Sequence, residues 1–131
     1  MAAEDYKVQW VGRHALVTMP AEIDVVNSGE IRQALLAAAS VGAEVLVIDM
    51  SGTTFCDSGG VQAIIATYKW VKETRTQLRL VATAVLRILT LVGVDQLTPI
   101  YPTLEAALTG GPSAQTGPHE PGETPASAEQ Q

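Results

Sequence analysis

The 131-residue chain has one cysteine, two histidines and few aromatic residues. Since Cys56 is the only cysteine, an intrachain disulfide and a metal site built from several cysteines are both excluded. His14 and His119 are far apart in sequence, so we expect no histidine metal site and predict no cofactor. No apolar run approaches the roughly 20 residues that a membrane-spanning helix needs. These shortages favour an ordinary globular domain that folds without a partner.

Basic residues are also scarce, with 8 Lys and Arg against 14 Asp and Glu, which gives a net charge of −6. Affinity for nucleic acid depends largely on basic side chains that neutralise phosphates. An acidic chain without a basic cluster is therefore not expected to bind DNA or RNA directly. The first ten residues, MAAEDYKVQW, lack the basic and apolar segments of a signal peptide, so we expect a cytoplasmic protein.

The most informative stretch is residues 45–66, with the sequence VLVIDMSGTTFCDSGGVQAIIA. Its first four residues form an apolar run typical of a strand that is buried on both faces. A polar loop follows, and after two glycines the apolar residues recur with helical spacing. The sequence thus predicts a strand, a loop and a helix, with Asp57 or Ser58 as the helix N-cap. A hydroxyl and a carboxylate would then lie at the carboxyl end of a sheet, where open α/β folds place function.

Strands and helices alternate on both sides of this unit. The patterns predict a hairpin from residues 7–10 and 14–19, helices over about 25–40, 84–92 and 104–108, and strands over 78–82 and 98–101. Such alternation predicts an α/β domain with a mixed sheet, opened by the hairpin and continued by right-handed crossovers. Residues 109–131 contain four of the seven prolines and no large apolar residue. We therefore predict one domain over residues 1–108 and a disordered acidic tail over 109–131.

Three separated motifs carry a family resemblance: Glu22-Ile23-Asp24, VLVIDMSGTTFCDSGG at 45–60, and LRILTLVGVDQLTPIYPTLEAAL at 86–108. This pattern, over about residues 5–108, resembles the STAS domain, and within it the stand-alone anti-sigma factor antagonists of bacteria. The resemblance implies a STAS fold, with a mixed sheet of four to five strands and about four helices mainly on one face. It also implies a cytoplasmic regulator that is not an enzyme. Such a protein binds an anti-sigma factor of the GHKL kinase type and frees a sigma factor for transcription.

The chain departs from the family pattern at one position. In many members the partner kinase phosphorylates a serine or threonine at the start of the second helix, immediately before a glycine. Here the order is Asp57-Ser58-Gly59-Gly60, so Gly59 takes the acceptor position and the hydroxyl is missing. Two hypotheses stay open. Either the protein is an antagonist that is insensitive to phosphorylation, or Ser58, one position away, is the acceptor.

The resemblance also predicts a partner-binding surface, made of Asp24, Asp57, Ser58, Gly59 and Gly60. Each of these residues has a simpler interpretation. Asp57 and Ser58 are candidate helix caps, the two glycines suit a turn, and Asp24 suits a solvated loop.

Two neighbouring residues are given structural roles. Asp49 is predicted to be a strand-end carboxylate that bonds to the following loop. Phe55 and Cys56 form an apolar pair that we expect at a buried strand end. Cys56 is predicted to be a thiol of the core, because a buried thiol away from positive charge is unreactive.

Two other functions are alternatives to the antagonist. One is a non-catalytic scaffold or sensory subunit of a larger signalling assembly, which would contact other STAS proteins. The other is an enzyme that uses Asp49, Asp57 and Ser58. The sequence supports an enzyme least, because no histidine or lysine lies near Ser58 as a base and the glycines do not form a Walker loop.

Overall fold

The computed structural model describes residues 6–110, which form seven strands, four α-helices and a short 3₁₀ helix at Val94–Gln96. In chain order the elements are β1 (Gln9–Val11), β2 (His14–Thr18), β3 (Glu22–Ile23), α1 (Ser28–Ala39), β4 (Val45–Met50), β5 (Phe55–Cys56), α2 (Ser58–Val71), β6 (Gln77–Ala82), α3 (Leu86–Leu91), β7 (Ile100–Tyr101) and α4 (Leu104–Thr109).

The main sheet has five strands in the order β1-β2-β4-β6-β7. β1 pairs with β2 as an antiparallel hairpin, and the other three pairs are parallel. Parallel neighbours need a crossover, and helices α1, α2 and α3 lie in the three connections. The predicted mixed sheet, with its opening hairpin, is confirmed.

The core lies on both faces of β4, the central strand, all six of whose residues are buried. Successive side chains of a strand point to opposite faces. Leu46, Ile48 and Met50 pack in the larger cluster, which includes buried residues of α1, α2 and α3. Val45 and Val47 pack in a smaller cluster with Ala107 of α4. Three helices therefore cover one face and α4 covers part of the other, as expected for helices mainly on one face.

Helix α1 begins at Ser28, three residues later than its apolar pattern predicted. The backbone oxygen of Asp24 accepts hydrogen bonds from the N–H groups of Asn27 at 3.3 Å and Ser28 at 2.9 Å. The Asp24 carboxylate accepts from the N–H of Val26 at 2.9 Å. A short polar side chain thus closes a local turn in place of the first helical turn. The turn leaves Val25 and Val26 84% and 85% exposed.

A second, two-stranded sheet was not predicted. β3 and β5 pair in parallel outside the main sheet, and each is only two residues long, too short to show a periodic pattern. The sequence also grouped Phe55 with Cys56 as a buried pair, which is wrong for Phe55. Its side chain is 48% exposed whereas Cys56 is buried, because neighbouring strand residues face opposite sides.

The last described residues extend the domain slightly beyond its predicted boundary. Thr109 is the final residue of α4, and Gly110 follows it with φ 75°, the left-handed conformation typical of a helix C-terminus. The remainder of the predicted tail lies outside the described residues. Within residues 6–110, no helix is long and apolar enough to cross a bilayer.

Candidate functional site

The candidate site forms where the chain leaves β2 and β4 at the carboxyl ends of these strands. The two departing segments are tied to each other by hydrogen bonds. The buried hydroxyl of Thr53 donates to the backbone oxygen of Pro20 at 2.8 Å. The N–H of Thr54 donates to the backbone oxygen of Ala21, also at 2.8 Å. Both segments therefore enter the β3–β5 pair as one fixed unit.

This pairing brings the two predicted carboxylates to adjacent places. Ile23 of β3 is in register with Cys56 of β5, and Asp24 and Asp57 are the next residue of each strand. The N–H of Asp57 donates to the Ile23 carbonyl oxygen at 3.0 Å, which continues the pairing by one more bond. Residues that are 33 positions apart in sequence thus share one edge of the domain.

Asp57 is the N-cap of α2. Its backbone is extended, and its Oδ1 accepts from the N–H groups of Gly59 at 2.9 Å and Gly60 at 3.2 Å. These bonds satisfy donors that the first helical turn leaves without partners. Ser58 is the first residue of the helix, is exposed, and makes no hydrogen bond through its hydroxyl with the described residues. Of the two predicted caps, Asp57 is correct and Ser58 is not.

Asp49 has the predicted structural role. It is the second-last residue of β4 and is buried, and its Oδ1 accepts from the N–H of Ser51 at 2.9 Å. The carboxylate therefore shapes the start of the loop that leads to β5.

The two glycines of the site have different neighbours. Gly60 is buried, and a Cβ at this position would lie 2.5 Å from Cys56 Sγ and 2.7 Å from Ile23 Cγ2. Glycine is needed here for the close approach of α2 to β3 and β5. Gly59 is half-buried, and a Cβ there would lie 2.8 Å from Ser28 Oγ. Neither glycine has a positive φ, so the turn interpretation does not hold.

The Cys56 thiol is buried beneath the start of α2, as predicted for a core thiol. Burial, and to a smaller extent the charge of Asp57, raises its pKa from 9.0 to about 11. The thiolate is the reactive form of cysteine, so this thiol is protonated and inert at neutral pH.

Exposed apolar side chains surround the two carboxylates. Val25, Val26 and Phe55 lie beside Asp24 and Asp57 in the sequence and are all exposed. We call the exposed surface of residues 22–28 and 55–59 the acidic edge. Sequence reasoning missed its apolar part, because the two valines were assigned to a helix and Phe55 to the core. The exposed apolar part could have been predicted from the two adjacent valines between the polar residues Asp24 and Asn27.

The charges of the acidic edge are not neutralised by neighbouring side chains. Glu22, Asp24 and Asp57 form no ion pair with any residue between positions 6 and 110. Over the same residues, no three His, Cys, Asp or Glu side chains lie close enough together to hold a metal ion. The arrangement is suited to contact with a second macromolecule of complementary charge.

The fold and this edge define a small α/β domain whose candidate functional surface lies on the loops that follow the strands. A model of the STAS domain matches residues 6–107. The match covers most of the chain, which therefore belongs to the STAS domain family.

Solved structures agree with this assignment. An anti-sigma factor antagonist from Mycobacterium paratuberculosis is 33% identical, with a TM-score of 0.73 over 79% of this chain and 89% of that one. A STAS domain protein from Planctomyces limnophilus is 22% identical, with a TM-score of 0.73 over 84% and 98% of the two chains. The phosphorylated form of SpoIIAA from Bacillus is 19% identical, with a TM-score of 0.58 over 79% and 96%. No curated protein sequence matches the chain.

Two substitutions of Asp57 distinguish its role as a helix cap from the effect of its charge. Asp57→Ala removes the acceptor of two backbone N–H groups, so we expect the free energy of unfolding to fall by about 1 kcal/mol. Asp57→Asn keeps an acceptor oxygen, and we expect a loss of no more than about 0.3 kcal/mol, since the two residues cap equally well. Urea unfolding of both variants measures this difference. Equal losses in the two variants would contradict the capping role.

A methyl group added at Gly60 is expected to destabilise the domain. Gly60→Ala forces Cys56 and Ile23 away from α2, and such overpacking costs typically about 1–3 kcal/mol. The matched control is Gly29→Ala in the first turn of α1, where an added Cβ meets no atom within 4 Å. This control should gain about 0.4–1 kcal/mol through reduced entropy of the unfolded chain. Urea unfolding of both variants tests the assignment, which fails if Gly60→Ala is as stable as the unchanged protein.

The Cys56 thiol is expected to resist alkylation. With a pKa of about 11 instead of 9.0, its thiolate fraction at pH 8 is about a hundredfold lower than in the unfolded chain. Iodoacetamide labelling followed by mass spectrometry should be at least tenfold slower in buffer than in concentrated urea. Equal labelling rates would show that the thiol is accessible.

The raised pKa of Cys56 also affects the stability of the fold. The contribution of the protonated thiol to stability is fully present below pH 9, and it is lost as the pH rises towards 11.

Proposed function

We propose that the chain is an anti-sigma factor antagonist, which binds a GHKL-type anti-sigma factor and thereby releases a sigma factor for transcription. The observation that carries the proposal is the acidic edge, where the unpaired carboxylates Asp24 and Asp57 lie beside the exposed valines 25 and 26 and Phe55. The relative from Mycobacterium paratuberculosis, itself an anti-sigma factor antagonist, supports it at 33% identity.

The acidic edge combines the two components of a specific protein interface. Exposed apolar side chains supply area that is buried on binding, and surrounding charges select and orient a partner of opposite charge. The partner surface should therefore be basic around an apolar centre. Because the charges are exposed, added salt should slow association more than it speeds dissociation.

The proposal does not require phosphate at residue 59. Gly59 has no side-chain oxygen to accept it, so a switch of the usual kind has no group at that position. An antagonist that is never inactivated fits this difference. Phosphate on the exposed hydroxyl of Ser58 also fits, and both versions use the same acidic edge.

The first test is a pull-down of the full chain from its own cells at native expression, followed by intact-mass analysis. We expect a GHKL-type anti-sigma factor to co-purify. The recovered partner is then loaded with its sigma factor, and addition of the purified chain should release the sigma factor. Recovery of large assemblies of other STAS proteins without such a partner would replace the antagonist by the scaffold subunit.

A charge placed on the apolar part of the acidic edge should weaken binding. Val26→Asp adds a buried, unpaired carboxylate to the interface, and we expect the Kd for the anti-sigma factor to rise at least about tenfold, or 1.4 kcal/mol. Val41→Asp is the matched control, because Val41 is 45% exposed and follows the far end of α1. Isothermal titration calorimetry measures both affinities. If the two variants bind equally well, the acidic edge is not the interface.

A further inference from the structure

The side chain missing at Gly59 has a neighbour that fills its space. A Cβ built on Gly59 would lie 2.8 Å from Ser28 Oγ and 3.1 Å from Ser28 Cβ. A carbon atom does not approach a non-bonded oxygen so closely, so a side chain at position 59 and the present rotamer of Ser28 exclude each other. The Ser28 hydroxyl, from the first residue of α1, therefore occupies space that a side chain at residue 59 would need.

The Ser28 hydroxyl lies where the first turns of α1 and α2 meet. It makes no hydrogen bond with the residues that the structure describes, and the side chain is only partly buried. The residues on two sides of it are Gly29, which follows it in α1, and Gly59 across the helix contact. An added Cβ at Gly29 would meet no atom within 4 Å, which means that the space there is open. Neither glycine has a side chain that would cover the hydroxyl.

We propose that Ser28 is the residue of this chain that accepts phosphate from its partner kinase. The inference rests on the proposed function, which supplies the kinase and its nucleoside triphosphate. The Ser28 oxygen forms a bond to the γ-phosphorus, and the bond from this phosphorus to the β–γ bridging oxygen breaks. The nucleoside diphosphate leaves, and a basic group of the kinase takes the hydroxyl proton.

The phosphate would act on the acidic edge directly. It adds about −1.5 to −2 charges and three oxygens next to the contact between Ser28 and Gly59. The Asp57 carboxylate is already close, with Oδ1 3.3 Å from a Cβ built on Gly59. Bulk and like charge at this point would separate the acidic edge from a closely fitting partner. Phosphorylation is therefore expected to release the anti-sigma factor, as a switch that does not need residue 59.

The test uses the full chain with ATP and the anti-sigma factor recovered by pull-down. Peptide mapping by mass spectrometry should find one phosphate on Ser28, which persists in Ser58→Ala and disappears in Ser28→Ala. Phosphorylation of the unchanged chain should weaken binding of the partner at least tenfold. Phosphate on Ser58, phosphate on another residue, or no phosphate although the partner binds would each overturn the inference and leave the antagonist function intact.

A second measurement does not need the partner. Peptide mapping of the protein isolated from its own growing and stationary cells should find phosphate on Ser28 in one of these conditions. The absence of phosphate on Ser28 from both conditions would overturn the proposal, whether or not a kinase is recovered. Failure to recover a kinase is a different result, which would count against the proposed function.

The shared space is tested with purified variants. Gly59→Ser should lower the urea midpoint, and Ser28→Gly in the same chain should recover most of this loss. Ser58→Gly is the control and should recover none, since Ser58 is not among the atoms that meet a Cβ at Gly59. Additive effects of Gly59→Ser and Ser28→Gly would remove the geometric basis of the inference.

Discussion

The candidate site depends on one close contact, the approach of α2 to the β3–β5 pair at Gly60. Only a hydrogen atom fits between the helix backbone and the side chains of Ile23 and Cys56. This contact holds the helix start against two segments that would otherwise be independent loops. Asp57 then joins the three parts, because its N–H bonds to Ile23 and its carboxylate bonds to the helix. A surface made of loop residues thereby gains the rigidity of the sheet behind it.

Rigidity matters because the partly exposed carboxylates of Asp24 and Asp57 are also structural. Asp24 closes the turn before α1 through the N–H of Val26, and Asp57 caps α2. Both side chains are thus held in one rotamer before any partner arrives. Binding then needs little additional loss of side-chain freedom, which is the main advantage of a preorganised interface. The same two groups therefore stabilise the fold and select the partner.

The sequence predicted β4, α2, the Asp57 cap and the role of Asp49, because each depends on neighbours in the chain. It failed where distant segments meet. The β3–β5 pair consists of two-residue strands, and the pairing partner of Ile23 is 33 positions away. The start of α1 was misplaced because the apolar pattern continues through a turn that Asp24 closes. The different environments of Gly59 and Gly60 are set by side chains that no local pattern reveals.

Helix α4 determines on which side of the domain the last described residue lies. It packs on the sheet face opposite α1 and α2, and the Arg79 guanidinium donates to the carbonyl oxygen of Ala107 at 2.7 Å. Gly110, at its end, lies close to the same guanidinium. Gly110 thus lies on the reverse face, whereas the acidic edge lies at the carboxyl ends of β2 and β4. A matrix, a fluorophore or a fused domain attached after Gly110 starts on the far face, so immobilised protein can present the acidic edge to solution.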